Sequence, residues 1–358
     1  MQFAWLSGGE RPLIGVDISS SAVKMLELSG AGKDAYRVER YAIAPLPKDA
    51  IADGKINKPE AVEAAMSQAW RSLDSRTKAI ALALPVSAVI SKKVLVPSQA
   101  SETEVEAQLT AEANQMAAFP VDEVSFDYQI LGPSPKSPSD NEALVVITRR
   151  DRVDERVAIA EAVGLQTVIM DVDNFAALGA YTQMAGQLPS SGKKQTVAIV
   201  DMGANFTHIN ILHSNQLVFQ RTHAFGGQIL TQDIARRFDV SLEEAEDAKR
   251  KGQLPDRYKT EVLPAFLENA AQEVMRSLQM CFASTAYQSV DHVLLCGGCA
   301  LLPGLDDAIR NASQAQVSIA NPFARMSLSG KVNAQRLAND APMMIIACGL
   351  ALRRFDRP

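Results

Sequence analysis

Apolar residues fall in short runs bounded by turn residues, alternating with stretches where they recur every three or four positions. The first pattern predicts strands and the second helices. Their alternation predicts an α/β fold with sheets covered on both faces. One run recurs along the chain. Leu13-Ile14-Gly15-Val16-Asp17-Ile18-Ser19-Ser20-Ser21 leads into the β-patterned Ala22–Leu28. At an offset of 184 residues, Val197-Ala198-Ile199-Val200-Asp201-Met202-Gly203-Ala204-Asn205 leads into Phe206–Leu212. Each copy is a strand ending in Asp, a turn of small residues and a second strand. A further turn (Ser29–Lys33; His213–Gln216) and a third strand (Tyr36–Ile43; Leu217–Ala224) follow in both. The echo predicts a duplicated lobe.

Between the copies, Ala88–Val168 reads as a separate small module. Ser101-Glu102-Thr103-Glu104 is a capping box that opens a helix to about Ala118, where Phe119-Pro120 ends it. Val124–Leu131 and Ala143–Thr148 read as strands joined by a mobile loop, the Pro- and Ser-rich Gly132–Asn141. Asp151–Val163 is a helix, Leu165–Val172 a strand, and Asp173–Gly186 a helix crowded with small residues. After the second copy come helices at Thr231–Phe238 and Ser241–Lys251. The latter has a Ser241/Glu244 capping box and Gly252 just past its end. A long helix at about Ala265–Tyr287 follows, with Pro264 in its first turn. Strand His292–Cys296 meets Gly297-Gly298, Pro303 opens a helix to about Asn311, and a last helix covers about Ala341–Arg354.

Length and composition narrow the classes. The 358 residues suit about two domains, or two lobes of a duplicated unit. Acidic residues number 41 against 36 basic, a net charge of −5, which argues against a nucleic-acid binder. The longest apolar stretches, Ala79–Ile90 and Ala341–Leu352, each contain a proline and fall short of the roughly 20 residues a membrane span needs. Met1–Glu10 has no Lys or Arg and does not read as a secretion signal. The four cysteines, Cys281, Cys296, Cys299 and Cys348, make no disulfide framework, so a reducing cytoplasmic setting is expected.

The repeated Asp-plus-turn has the chemistry of a phosphate–metal site. Small side chains let backbone N–H groups approach phosphate oxygens, and the carboxylate can hold Mg²⁺ directly or through water. Glu246 and Lys249 share a helix face, which on its own reads as one more solvated ion pair. Cys296 and Cys299 lack the second ligand pair of a zinc site, and His208, His213, His223 and His292 have no metal-like spacing. Gly297-Gly298 reads instead as backbone that a flat ligand can approach. From Val94 to Pro135 there are seven acidic and no basic residues, either a solvated face or a dock for a positively charged partner segment. No Gly-x-Ser-x-Gly, His-Glu-x-x-His or Walker-type motif occurs, and His223 and Cys281 have no identifiable catalytic partners.

Taken in order, these pieces resemble the actin-like ATPase superfamily. Asp17–Lys24 looks like its first phosphate loop and Asp201–Thr207 like its second. Cys296–Gly304 looks like the adenosine loop, and Asp173–Tyr181 and Met343–Leu352 like the connecting helices. Glu246-x-x-Lys249 matches the pair that flanks ribose and adenine in chaperone-like members, and Ala88–Val168 sits where FtsA-like proteins carry an extra subdomain. Ile18–Leu28, Phe225-Gly226-Gly227 with Leu230-Thr231, Ser241–Lys251, Ala320–Arg325, Lys331-Val332-Asn333 and Asp340–Phe355 together resemble the PilM family of type IV pilus assembly proteins, over about residues 12–356.

The resemblance implies an actin-like fold of two lobes: 11–87, 169–190 and 341–358 with the inserted 88–168, and 195–228, 229–290 and 291–340. It implies ATP or ADP with Mg²⁺ in the cleft between lobes. Asp17 and Asp201 would address the metal, mainly through water. Ser19, Ser20, Ser21, Lys24, Gly203, Ala204 and Asn205 would hold the phosphates. Gly226, Gly227, Glu246, Lys249, Gly297, Gly298 and Ala300 would line the nucleoside pocket. Asp173 is the candidate catalytic residue, with hydrolysis expected to be weak or absent. The implied partner is the N-terminal cytoplasmic tail of PilN, in a groove between the first lobe and the inserted subdomain, and through it PilO and PilP. Contacts with the motor ATPases, the platform protein and a second copy are compatible with it. The chain stops soon after its last helix, so it is expected to reach the inner membrane only through a partner. A small-molecule kinase, an FtsA-like filament former and a type II secretion relative stay open as alternatives.

Overall fold

The computed structural model describes residues 12–30, 35–52, 54–117, 119–135 and 137–356. The Met1–Glu10 reading, part of the turn Ser29–Lys33 and the expected helix end at Ala118 lie outside them. The chain divides into two compact units, Met1–Glu27, Ala42–Ala176 and Arg353–Pro358 forming one, and Leu28–Tyr41 and Ala177–Leu352 the other.

From its N-terminal side the chain forms β1 (Ile14–Ile18), β2 (Ala22–Gly30), β3 (Tyr36–Pro45), a small hairpin of β4 (Ile51–Ala52) and β5 (Lys55–Ile56), α1 (Pro59–Leu73) and β6 (Ala79–Leu84), the stretch Leu28–Tyr41 belonging to the second unit. The inserted module adds β7 (Val89–Pro97), α2 (Glu102–Met116), β8 (Val124–Pro133) and β9 (Asp140–Arg149), and α3 (Arg150–Ala162), β10 (Gln166–Val172) and α4 (Asp173–Ala185) follow, α4 belonging to the second unit from Ala177 on. The main sheet runs β10-β6-β1-β2-β3 and ends on a sixth strand, Ser327–Leu328, parallel to β3, with β1 antiparallel to β2 and parallel to β6. β1 and β6 are buried on both faces, which is why they read as continuous apolar runs. Ile14, Val16, Ile80 and Leu82 pack with Val62 and Met66 of α1 and Ile159 of α3.

In the inserted module α2 lies on a three-stranded sheet, β7-β9-β8. Leu109 and Ala113 are its buried residues, packed in a cluster with Val94, Val96, Ala143, Val145 and Ile147. The capping box forms as expected: Glu104 N–H donates to Ser101 Oγ at 3.3 Å and Ser101 N–H to Glu104 Oε2 at 2.8 Å. The expected loop Gly132–Asn141 is shorter than read, with β8 running on to Pro133 and β9 starting at Asp140. Gly132 pairs with Glu142 and Pro133 with Asn141, and Ser134 N–H closes the turn onto Asp140 O at 2.8 Å. Pairing with the β9 backbone outweighs the weak strand propensity of Gly, Pro and Asn there.

The second unit holds a five-stranded sheet of its own. It contains β11 (Thr196–Met202), β12 (Thr207–His213), β13 (Gln216–His223), α5 (Gly227–Phe238), α6 (Leu242–Lys251), α7 (Arg257–Glu261) and α8 (Leu263–Ser284). Then come β14 (His292–Cys296), α9 (Leu305–Ser313), β15 (Gln316–Ile319), β16 (Ser327–Leu328), α10 (Ala334–Asp340) and α11 (Ile345–Leu352). Its sheet runs β15-β14-β11-β12-β13, with β11 antiparallel to β12 and parallel to β14. This is the order of β10-β6-β1-β2-β3, so the duplication read from the repeated run is present in the topology. α6 has its capping box, and Gly252 ends it in the left-handed conformation at φ 65°.

The last helix differs from the expectation. Ala341–Met344 is a 3₁₀ turn and the α-helix begins only at Ile345. Pro342 O accepts the Gly297 N–H at 2.8 Å, so that carbonyl is turned out of the helical ladder. α4 and α11 approach closely: a Cβ on Gly179 would lie 3.9 Å from the Gly349 Cα. Helix α1, the α7 turn, β15, β16 and α10 are further elements beyond the sequence reading. Among the described residues no helix is long and apolar enough to cross a membrane.

Candidate functional site

In the first unit the β1/β2 register sets Asp17 directly opposite Lys24. Cross-strand neighbours on one face are close enough to interact, and Lys24 Nζ sits 2.7 Å from Asp17 Oδ2 with both residues buried. The turn that follows is closed by Ser19, whose N–H and hydroxyl both donate to Ala22 O, at 3.0 and 2.9 Å. Ser21 O accepts from Leu46 N–H at 2.9 Å. The N–H groups of Ser20 and Ser21 meet no acceptor among the described residues.

The second unit builds the equivalent turn from Asp201, at the end of β11. Gly203 N–H closes it onto Phe206 O at 2.9 Å. Here Asp201 faces His208 across the ladder. The carbonyls of the turn are taken by the start of α5: Gly227 N–H donates to Gly203 O at 3.0 Å and Gln228 N–H to Ala204 O at 2.8 Å. The N–H groups of Ala204 and Asn205 meet no acceptor among the described residues. Gly226 is extended, so its small size serves approach: a Cβ there would lie 2.5 Å from Ala204 O and 2.6 Å from Gly203 O.

The loop after β14 closes on the same turn. Gly297 has φ +83°, and a Cβ on it would lie 2.4 Å from Met202 O and 2.5 Å from Asp201 Oδ1. Gly298 faces open space, with nothing within 4 Å of a Cβ there. Cys299 N–H donates to Met202 O at 3.1 Å and its thiol to Gly203 O at 3.4 Å. Burial pushes that thiol up to about 11 and holds Cys296 well above its ordinary value. Both are packed, protonated side chains, and no group of three His, Cys, Asp or Glu suited to a metal occurs among the described residues. Ala300 is buried in the core of the unit.

Glu246 and Lys249 of α6 are more than a solvated ion pair. Lys249 Nζ lies 2.6 Å from Glu246 Oε2 and donates to Thr231 Oγ1 at 2.6 Å and to Gly227 O at 3.0 Å. Thr231 was not among the expected site residues. Its signal is its place one helical turn after Gly227, which lets its hydroxyl turn back toward that carbonyl at 3.1 Å.

Asp173 starts α4, where its Oδ1 accepts from Val86 N–H at 2.9 Å and Asn174 N–H at 2.6 Å. His223 has partners the sequence did not reveal: its Nε2 is hydrogen-bonded to Ser277 Oγ, and its Nδ1 lies 3.7 Å from Glu273 Oε2. Ser277 is fully buried, so this trio is a core network and not an accessible nucleophile.

Each unit therefore carries a carboxylate at a strand end and a turn with two adjacent uncommitted N–H groups. Adjacent backbone N–H donors in a turn are groups of the kind that meet an anion's oxygens. The carboxylates offer oxygens of the kind Mg²⁺ takes, although one oxygen of Asp17 is already held by Lys24.

The profile of the family described as type IV pilus assembly protein PilM matches residues 15–355. A solved PilM–PilN type IV pilus biogenesis complex superposes with a TM-score of 0.81 at 25% identity, covering 98% of this chain and 100% of that one. The ethanolamine utilization protein EutJ of Carboxydothermus hydrogenoformans shares the fold, with a TM-score of 0.58 at 15% identity over 95% of this chain and 88% of that one. The cell division protein FtsA of Enterococcus faecalis (strain ATCC 700802 / V583) is 24% identical over 149 residues, 35% of this chain. The chain thus spans about a third (33%) of the length of that curated relative. The architecture is the actin-like ATPase fold.

Proposed function

The chain belongs to the PilM family of type IV pilus assembly proteins, and from that membership we propose that it is a nucleotide-binding scaffold of the pilus inner-membrane complex that holds the cytoplasmic tail of PilN. The observation that carries this reading is the likeness, over nearly the whole chain, to a protein solved together with PilN. The tail would lie in a groove between the core of the first lobe and the inserted module. PilO and PilP would be joined through PilN, and the motor ATPases and platform protein on the cytoplasmic side. The protein would sit at the cytoplasmic face of the membrane through these partners.

The paired turns support nucleotide binding. The N–H groups of Ser20, Ser21, Ala204 and Asn205 would donate to phosphate oxygens, each charge-assisted bond contributing about 1.5–3 kcal/mol. Lys24 supplies a fixed positive charge beside Asp17. Mg²⁺, when bound, would neutralise phosphate charge, with Asp201 and the second oxygen of Asp17 holding it through water. Asp173 Oδ1 already accepts two backbone N–H groups, which supports an anchoring role and slow or absent hydrolysis.

Nucleotide would control tail binding only through a difference in affinity between two arrangements of the protein. Calorimetric titration with a PilN tail peptide, with and without Mg-ATP, tests both parts. Tail binding that strengthens or weakens with Mg-ATP is expected. Tail binding indifferent to Mg-ATP removes the regulatory part, and no tail binding in either state removes the scaffold itself.

A further inference from the structure

An ammonium group has three N–H donors, and Lys249 has three protein acceptors in reach: Glu246 Oε2 at 2.6 Å, Thr231 Oγ1 at 2.6 Å and Gly227 O at 3.0 Å. No donor is left for a ligand. The Thr231 hydroxyl has one proton and two lone pairs. With Lys249 donating into it, its own proton goes to the nearest acceptor, Glu246 Oε2 at 2.5 Å. The three side chains form a closed triangle that fixes one oxygen of Glu246. The other, Oε1, meets no protein donor among the described residues, and Glu246 is the more open partner, 38% exposed against 15% for Lys249. A carboxylate oxygen accepts only, so Oε1 suits hydroxyl groups on a ligand. The triangle also reaches the second turn, because Gly227, held by its carbonyl, donates its N–H to Gly203 O at 3.0 Å.

We infer that Thr231 is a positioning residue of the nucleoside pocket: with Lys249 it orients Glu246 toward the hydroxyls of a bound nucleotide's sugar, and Lys249 acts through Glu246 and Gly227 without touching the ligand. The inference rests on the nucleotide reading above and corrects only the role of Lys249 within it. A substitution at Thr231 then changes which sugar is preferred and leaves phosphate recognition in place.

The test is equilibrium titration of the full chain with ATP and with 2′,3′-dideoxy-ATP, for wild type, Thr231→Val and Thr231→Ser. Wild type is expected to prefer ATP. In T231V, affinity for ATP falls about tenfold, equivalent to about 1.4 kcal/mol, affinity for the dideoxy nucleotide barely changes, and the preference collapses. T231S keeps the hydroxyl and restores it. A folded T231V with the wild-type preference overturns the inference. If T231V does not fold, Thr231→Ala decides in its place: a collapsed preference for ATP supports positioning through Glu246, and the wild-type preference overturns the inference. Wild type that binds neither nucleotide fails the underlying reading instead, an outcome distinct from the others.

Discussion

Ser19 and Gly203, 184 residues apart, close their turns with the same bond. Ser19 N–H reaches Ala22 O at 3.0 Å, and Gly203 N–H reaches Phe206 O at 2.9 Å. The equivalence extends across the ladders, where Asp17 faces Lys24 and Asp201 faces His208. Glycine is therefore not needed to shape the first turn. Serine supplies the same backbone bond and adds a hydroxyl to it. In the first copy the residue across the ladder is an ammonium that rests on the carboxylate, Lys24 Nζ lying 2.7 Å from Asp17 Oδ2.

That buried pair makes a stability prediction. Lys24→Met leaves the Asp17 carboxylate buried beside an apolar side chain. Removing one partner of a buried ion pair costs about 3–5 kcal/mol. Urea denaturation should show a loss of that order, and the Lys24→Met/Asp17→Asn double variant should recover part of it. A K24M protein as stable as wild type would mean that the pair is solvated and contributes little.

Gly297 and Gly298 should respond oppositely to alanine. At Gly297 a side chain meets a positive φ and two oxygens within 2.5 Å. Left-handed backbone costs about 1–2 kcal/mol and overpacking about 1–3 kcal/mol, so G297A should be destabilised by several kcal/mol in thermal or chemical melts. G298A has open space around it and should melt within about 0.5 kcal/mol of wild type. If the nucleoside lies over Gly298, G298A loses ATP affinity all the same. Equal melting behaviour of the two variants would contradict the placement of this loop against Asp201.

The contrast shows what the sequence could and could not reveal. Strand ends, capping boxes and the repeated Asp turn are local signals, and they stand where the apolar pattern put them. The Lys24 contact depends on strand register. The Thr231 contact depends on how α5 packs on α6, and the Tyr41–Asp340 hydrogen bond at 3.1 Å joins residues 299 apart. The ends of the Gly132–Asn141 segment show the reverse case: composition describes a loop throughout, and pairing between strands draws Gly132, Pro133, Asp140 and Asn141 into the ladder. Glu246 and Lys249 read as a surface pair because helical spacing does not reveal Gly227 O and Thr231 on the inner side.

Acid should weaken the second unit through its histidines. Burial holds His223 below the ordinary value of 6.5, assisted by Arg221 and Arg276 and opposed by Glu273. Burial also lowers His292, whose Nε2 is hydrogen-bonded to Ser318 Oγ at 2.7 Å. The unfolded chain then binds more protons than the folded one as pH falls through about 6.5. Stability is complete above that value and declines below it until the folded-state values are reached. Melting temperatures between pH 8 and pH 5 should be flat and then fall, and His223→Gln should make the fall shallower. A melting temperature that rises on acidification would put charged, paired histidines in place of buried neutral ones.

The acidic stretch of the inserted module is only partly neutralised within the protein. Lys92 pairs with Glu112 at 3.1 Å and Arg149 with Glu123 at 3.5 Å, and Glu104 belongs to the α2 capping box. Reversing Glu104 would therefore mix a lost cap, worth about 1 kcal/mol, with any effect on a partner. Glu102 and Glu106 are exposed and outside those pairs. If the stretch steers a basic segment of the PilN tail, Glu102→Lys with Glu106→Lys should slow association severalfold and flatten its salt dependence, with dissociation little changed. Stopped-flow mixing with a labelled tail peptide at two ionic strengths separates these effects. Unchanged association rates at both would make the stretch a solvated face of α2, and the tail would then be recognised by apolar and backbone contacts alone.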